Sequence, residues 1–239
     1  MKYFKFAQIS ADTGISWVIE QPISGPSYPP LPGLNVTVQL MQDRRFYLGT
    51  ANNTAKADPD NYIFLLTPAE YAEELKQHVE AHRQERLDRI YSEEKEFRQS
   101  VFGKYDDTAS IAGIYKYQEA IELLADPTAA APEVRNEAEV RGVDPVVMAE
   151  RIVANHEAFR DKESKIAGLR GMVYDRLTNF VFDLNKADIS YAEFFSQEKI
   201  GERTEKRMNA ETGQMEDTVV DVMVGKYELA IGARFQYLG

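Results

Sequence analysis

Cysteine is absent from all 239 residues. That excludes disulfides, thiolate metal centres and thiol nucleophiles, and fits a reducing compartment or a virion assembled in one. Also missing is any run of about 18 apolar residues, the length a membrane-crossing helix needs. The opening segment MKYFKFAQIS alternates but has no apolar stretch of the signal-peptide type. A soluble chain without a membrane span is expected. Positive charge is in deficit, with 28 Lys and Arg against 39 Asp and Glu and a net charge of −11. Nucleic-acid binding needs a basic footprint, and the richest basic stretches, Arg83 to Arg89 and Lys199 to Arg207, are interleaved with glutamates. Such mixed runs read as solvated faces, so no nucleic-acid partner is expected.

Catalytic motifs are missing too. There is no phosphate-binding loop, no GxGxxG, no GxSxG elbow and no HExxH. The three histidines are His78, His82 and His156. His78 and His82 stand four apart in a helical pattern, which places both imidazoles on one face and makes half a metal site. Glu74 and Glu85 lie within about a turn, but a zinc or iron site needs a third convergent ligand. Two histidines in a glutamate-rich helix read better as solvated, and His156 as paired with an adjacent acid. Glu73-Glu74 and Glu93-Glu94-Lys95-Glu96 sit at neighbouring helical positions, so their carboxylates point in different directions. Asp58-Pro59-Asp60 is a turn that lacks the ligand alternation and the central glycine of a calcium loop. Asn35-Val36-Thr37 and Asn52-Asn53-Thr54 match glycosylation acceptors, which carry no meaning without a secretory signal. No catalytic, cofactor-binding or metal-binding residue is assigned, and a non-enzymatic protein without a cofactor is expected.

What is present is enough apolar material for a core, at 44% hydrophobic, arranged in three zones. Residues 1–66 read as a small β-rich domain. Tyr3, Phe4 and Phe6 alternate with lysines, and Ser16 to Glu20 form a short apolar run around Trp17. Leu34 to Met41 alternates through Val36, Val38 and Leu40. A Gln42-Asp43 turn leads to a returning strand at Arg45 to Thr50, and Tyr62 to Leu66 closes the zone. Between these strands, Gly25 to Gly33 is too rich in proline for regular structure and reads as a rigid extended arm or loop.

Residues 67–187 read as a central long-helix bundle or hairpin. Thr67-Pro68-Ala69-Glu70 combines an N-cap, a first-turn proline and a capping-box glutamate, and the helix runs to Phe102. A second helix covers Thr108 to Ala125, and a short one Pro132 to Arg141, closed by Gly142. Asp144-Pro145 opens a last helix to about Leu184. In it Ile152, Phe159, Ile166, Val173 and Phe180 recur every seven residues, a seam for a partner helix in the same chain or in another copy.

Residues 188–239 read as a C-terminal β-rich segment. Ile189 to Phe195 is a short aromatic helix or turn. Ile200 to Met208 and Val219 to Val224 form a hairpin across a longer loop, and Tyr227, Leu229 and Ile231 a further strand. Phe235, Tyr237 and Leu238 make an apolar end that docks into a sheet or onto another subunit. The expected fold class is therefore α+β, and the expected contact surfaces are the arm at Gly25 to Gly33 and the apolar carboxyl end.

Two stretches carry a resemblance. Glu137-Ala138-Glu139-Val140-Arg141-Gly142 is an EAxxRG turn, and it precedes a long helix with spaced isoleucines and an IxxxR element at Ile166 and Arg170. Upstream, a β segment and a Pro/Gly-rich arm lead into Leu66-Thr67-Pro68-Ala69-Glu70-Tyr71 and a charged helix. This organisation, about half of the chain, resembles bacteriophage tail proteins of the tail-fibre-associated or tail-fibre assembly type. The resemblance implies a fibre- or baseplate-associated structural adaptor, or alternatively a tail-fibre assembly chaperone. It implies other tail proteins as partners, a possible homo-oligomer, synthesis in a host cytoplasm and a place in the virion tail. The region from Ile200 onward has no counterpart in that pattern, which leaves assembly factor and resident component both open.

Overall fold

The computed structural model describes residues 1–7, 9–10, 14–15, 28–40, 46–102, 107–208 and 213–238. The short apolar run at Ser16 to Glu20, the Gln42-Asp43 turn and the first part of the arm lie outside the described residues. The chain is mixed α+β. In order it forms β1 (Lys2–Ala7), β2 (Ile9–Ser10), β3 (Gly14–Ile15), β4 (Asn35–Gln39), β5 (Phe46–Ala51) and β6 (Ile63–Leu66). The helices α1 (Pro68–Phe102), α2 (Asp107–Ala125), α3 (Pro132–Arg141), α4 (Pro145–Asn179) and α5 (Ala187–Phe194) follow. Strands β7 (Gln197–Met208) and β8 (Met215–Gly225) and helix α6 (Ile231–Gln236) end it. By packing it divides into two compact units. One is Met1–Asp88 with Leu177–Glu198 and Gly225–Tyr227, and the other is Arg89–Arg176 with Lys199–Val224 and Glu228–Gly239. The zones 1–66, 67–187 and 188–239 follow changes of periodicity along the chain. The units cut differently because α1 and α4, at 35 residues each, both contribute to each of them.

The first unit is built on an antiparallel sheet of order β4-β5-β1-β6. The period of two in β1 sends its residues to two different places. Phe4 and Phe6 are fully buried with Tyr47, Ala51 and Ile63 on one side. Tyr3 and Lys5 meet α1 on the other, Tyr3 with its ring 4.5 Å from Tyr71 and Lys5 with Nζ 2.6 Å from the Glu74 carboxylate. The capping box at the start of α1 forms as its sequence dictates. The Thr67 N–H donates to Glu70 Oε2 at 2.7 Å, and the Glu70 N–H donates to Thr67 Oγ1 at 3.2 Å. Tyr71, Leu75 and Val79 then follow at intervals of four and are all buried, each such side chain contributing roughly 1.5–3 kcal/mol. The described part of the expected arm or loop packs back on the sheet. Tyr28 sets its ring edge-on to Phe6 at 6.1 Å and to Tyr47 at 5.3 Å, and Leu31 packs against the same core. Its proline count prevents strand pairing, but its two large apolar side chains are better buried than wet.

The second unit holds a small helical core, in which Ala120 and Leu123 of α2, Val134 and Ala138 of α3, and Met148 and Ala149 of α4 are buried together. Helix α3 ends as expected on Gly142, whose φ of 65° is left-handed, with the Val143 N–H donating back to the Ala138 carbonyl at 3.0 Å. Asp144 Oδ1 accepts from the Val146 N–H at 2.8 Å and caps α4. That helix stops at Asn179, short of Leu184. Its seam is satisfied within the chain: Ile166 and Val173 are fully buried, and Phe159 tilts against Phe102 of α1 at 4.6 Å.

The carboxyl region departs from expectation. The β7–β8 hairpin is there and longer than its apolar residues suggest, but Tyr227, Leu229 and Ile231 make no third strand. All three are buried, at 6%, 5% and 6% exposure, so their alternation encodes burial and not pairing. Ala230 between them takes a left-handed φ of 40°, and its carbonyl accepts from the Arg234 N–H at 3.0 Å, starting α6. The buried Arg234 guanidinium donates from Nε and Nη2 to the Glu228 carbonyl at 3.1 and 3.0 Å, occupying an acceptor that a ladder would have used. The apolar end docks within the chain: Phe235 meets Phe97 at 5.3 Å, and the Tyr237 ring lies over Gly201 of β7, where a Cβ would collide with it.

Candidate functional site

Helical spacing does bring His78 and His82 together, with ring centroids 4.6 Å apart, but His78 is not solvated. It is 3% exposed, because α5 lays Tyr191 and Phe195 over it at centroid distances of 5.9 and 5.7 Å. Phe195 also stands edge-on to His82 at 5.2 Å, and the Arg86 guanidinium sits 4.7 Å from the Phe194 ring. The His78 ring hydrogen-bonds the Gln39 backbone, while its Nδ1 is buried with no partner. The donor is therefore Nε2, and the neutral tautomer leaves Nδ1 as a bare acceptor. Burial, then the neighbouring His82, push the His78 pKa down to about 4. Burial pushes the Tyr191 hydroxyl up to about 12. Both groups are neutral near pH 7, and neither titrates there.

The carboxylates that stood near the histidines in sequence go elsewhere. Glu74 binds Lys5 of β1, while Glu85 remains 3.6 Å from His82 Nδ1. Among the described residues no group of three His, Cys, Asp or Glu side chains is placed to hold a metal ion. His156 stacks on Tyr117 at 3.9 Å instead of pairing with an acid. A groove of about 310 Å³ beside the start of α1 was not signalled by any motif. It is lined by Tyr3, Tyr71, Asn185, Lys186 and Asp188 among others. Only folding joins these residues from distant parts of the sequence. The Tyr71 hydroxyl is already bonded to Thr37 Oγ1 at 2.7 Å, and Lys186 and Asp188 bring opposite charges without a nucleophile beside them.

In the second unit Glu94 is the most buried carboxylate among the described residues, at 5% exposure. Arg98 Nη2 donates to it at 2.8 Å and Arg170 Nη1 at 3.2 Å, while Arg98 also reaches Glu163. Two guanidinium groups compensate one desolvated charge and tie α4 to α1. The substitution Glu94→Gln keeps the shape and loses the charge-assisted bonds. It is expected to cost about 1–2 kcal/mol, since both arginines keep partial access to water, and urea unfolding followed by circular dichroism measures it.

The residues behind the EAxxRG and IxxxR patterns have structural duties. Glu137 pairs with Lys116 and Arg141, both at 2.7 Å, and the Lys116 hydrogen bond holds its carboxyl below the usual range. Ala138 and Ile166 are fully buried, and Arg170 is one arm of the Glu94 clamp. The β7–β8 ribbon presents accessible apolar and charged side chains in regular geometry. Met208, Met215, Val219 and Met223 are 71%, 59%, 62% and 44% exposed, and no third strand joins the pair among the described residues. Among those residues, too, no helix is long and apolar enough to cross a membrane. No protein-family model, no curated protein and no solved structure matches the chain.

Proposed function

We propose that the chain is a non-enzymatic component of a bacteriophage tail, fibre- or baseplate-associated, which is made in the host cytoplasm and joins other tail proteins by surface contact. The observation that carries this reading is the β7–β8 ribbon. Two long strands with exposed apolar side chains, and with edges to which no strand is added among the described residues, are expensive to leave in water and are suited to pairing with another chain. Support also comes from the resemblance, whose residues here hold helix ends and helix pairs together instead of lining a reaction centre. The described part of the arm and the carboxyl end, attractive as contact surfaces in sequence, are folded onto their own chain, which favours the ribbon as the contact surface.

Mass spectrometry of purified virions tests the reading. The expected result is this chain at a fixed ratio to fibre or baseplate subunits. Its absence from the particle would overturn the role of resident component. If co-expression were then needed to keep a neighbouring fibre protein soluble, the assembly-chaperone role would replace it.

A further inference from the structure

The two strands of the ribbon differ in chemistry. β7 carries Lys199, Arg203, Lys206 and Arg207 among Glu198, Glu202 and Glu205. β8 carries Glu216, Asp217 and Asp221 with no cation, among Val219, Val220, Val222, Met223 and Val224. Strand β8 is thus acidic and β-branched, and β7 is the basic strand that pairs with it, with Lys199 Nζ 2.7 Å from Asp221. Each strand keeps one edge to which no strand is added among the described residues. The cations of β7 blunt its edge against casual pairing, whereas the valines of β8 have high strand propensity and no cation on their own strand.

What can cover the edge of β8 is restricted by charge. A second β8 would set carboxylates against carboxylates, and like charges directly opposite across a ladder are destabilising. A second β7 on β7 meets four cations and three anions with the same mixture, so no net attraction holds it. The combination whose net charges attract is β7 against β8, and this chain already shows that those two sequences make a ladder. We infer that the chain self-associates head to tail, the β8 edge of one copy receiving the β7 edge of the next. Such a contact uses two different surfaces, so it cannot form a two-fold dimer; it closes into a ring or runs on as a filament. Pairing edge to edge in a ring also satisfies every outer strand, which an isolated two-stranded ribbon cannot do. This rests on the reading of the chain as an assembling protein and names the partner as a second copy.

Sedimentation of the purified full chain, without other tail proteins, is the test. The expected result is a species of at least three chain masses, each 27.2 kDa, that shifts toward monomer as salt is raised from about 0.1 to about 1 M, where screening shortens to roughly 3 Å. A monomer at about 100 µM at the lower salt, or a closed dimer, would overturn the inference. It would leave the tail reading intact, because that reading is decided on the particle. Two charge-reversed chains sharpen the test. One carries Glu216→Lys with Asp217→Lys on β8, and the other Lys206→Glu with Arg207→Glu on β7. Each is expected to sediment as a monomer alone, with its helical circular dichroism retained, and the mixed pair to regain multi-chain mass. Reversal also disturbs the ribbon inside each chain, and mixing cannot repair that. Recovered mass therefore reports strand contact between chains, and wild-type association that both reversals leave untouched would refute the strand contact.

Discussion

Replacing Phe194 by alanine is expected to destabilise the first unit by about 3–5 kcal/mol, the range for emptying a buried aromatic site. Phe194 is 1% exposed and stands at the centre of a ring cluster. Tyr227 stacks on it at 5.2 Å with an interplanar angle of 18°, Phe180 and Phe195 each approach at 5.1 Å, and Arg86 covers another side. Truncation removes the transfer free energy of the ring and leaves a void, because neighbours from four separate segments cannot all move inward. The geometry-dependent part of each aromatic contact, roughly 0.5–1.5 kcal/mol, is lost as well. Hydrogen exchange read by mass spectrometry should show α5 and the segment around Tyr227 losing protection first. Phe194→Leu, which refills most of the volume, should cost clearly less. Unchanged protection of α5 in the alanine variant would mean that the cluster is not what fastens it.

Acid is the second large lever. The His78 pKa lies at about 4 in the folded chain against 6.5 for a free imidazole. Between those two values the unfolded chain binds more protons than the folded one, so unfolding becomes more favourable as pH falls. The contribution is fully present above about pH 6.5 and is lost progressively down to about pH 4, with a span of about 3 kcal/mol at 1.36 kcal/mol per pH unit. Protonation would put a charge on a ring already beside His82, while Glu74 is held by Lys5 and Glu85 lies beside His82. Carboxyls whose pKa values are lowered, such as Glu137 and Glu193, add their own acid loss below their normal range, a lower window. Urea midpoints measured from pH 7 to pH 4 should fall in the native chain and fall much less in His78→Leu. Parallel curves for the two would show that His78 is not the group responsible.

Legibility in the sequence followed the range of the forces involved. Helix starts at Thr67-Pro68 and Asp144-Pro145 and the stop at Gly142 were readable because capping is decided by residues within one turn. The strands flanking Val36 and Phe4 were readable from alternation, and the seam through Ile166 and Val173 from its period of seven. The central position of β1 in the sheet was not, since strand order depends on contacts among separate segments. The strand expected at Tyr227 to Ile231 failed for a related reason: alternation records which side chains are buried, and only a neighbour with free acceptors turns that into a ladder. His78 was misread because its own surroundings in sequence are glutamate-rich and wet. What buries it is an aromatic helix encoded far downstream. For the same reason the groove by Tyr3, Tyr71 and Asp188 had no linear signature.

That distance has a consequence in time. The core formed by Tyr71 and Leu75 with Leu40 and Leu48 is completed by Phe182, Ala187 and Tyr191, which leave the ribosome roughly a hundred residues later. At about 5–20 residues per second that interval is on the order of ten seconds. Through it the apolar stripe of α1 has only its N-terminal partners from the sheet and lacks the cover of Phe182, Ala187 and Tyr191. Birth is thus a vulnerable moment for this protein, when a holding factor or a low expression temperature would do most to keep the chain from clumping.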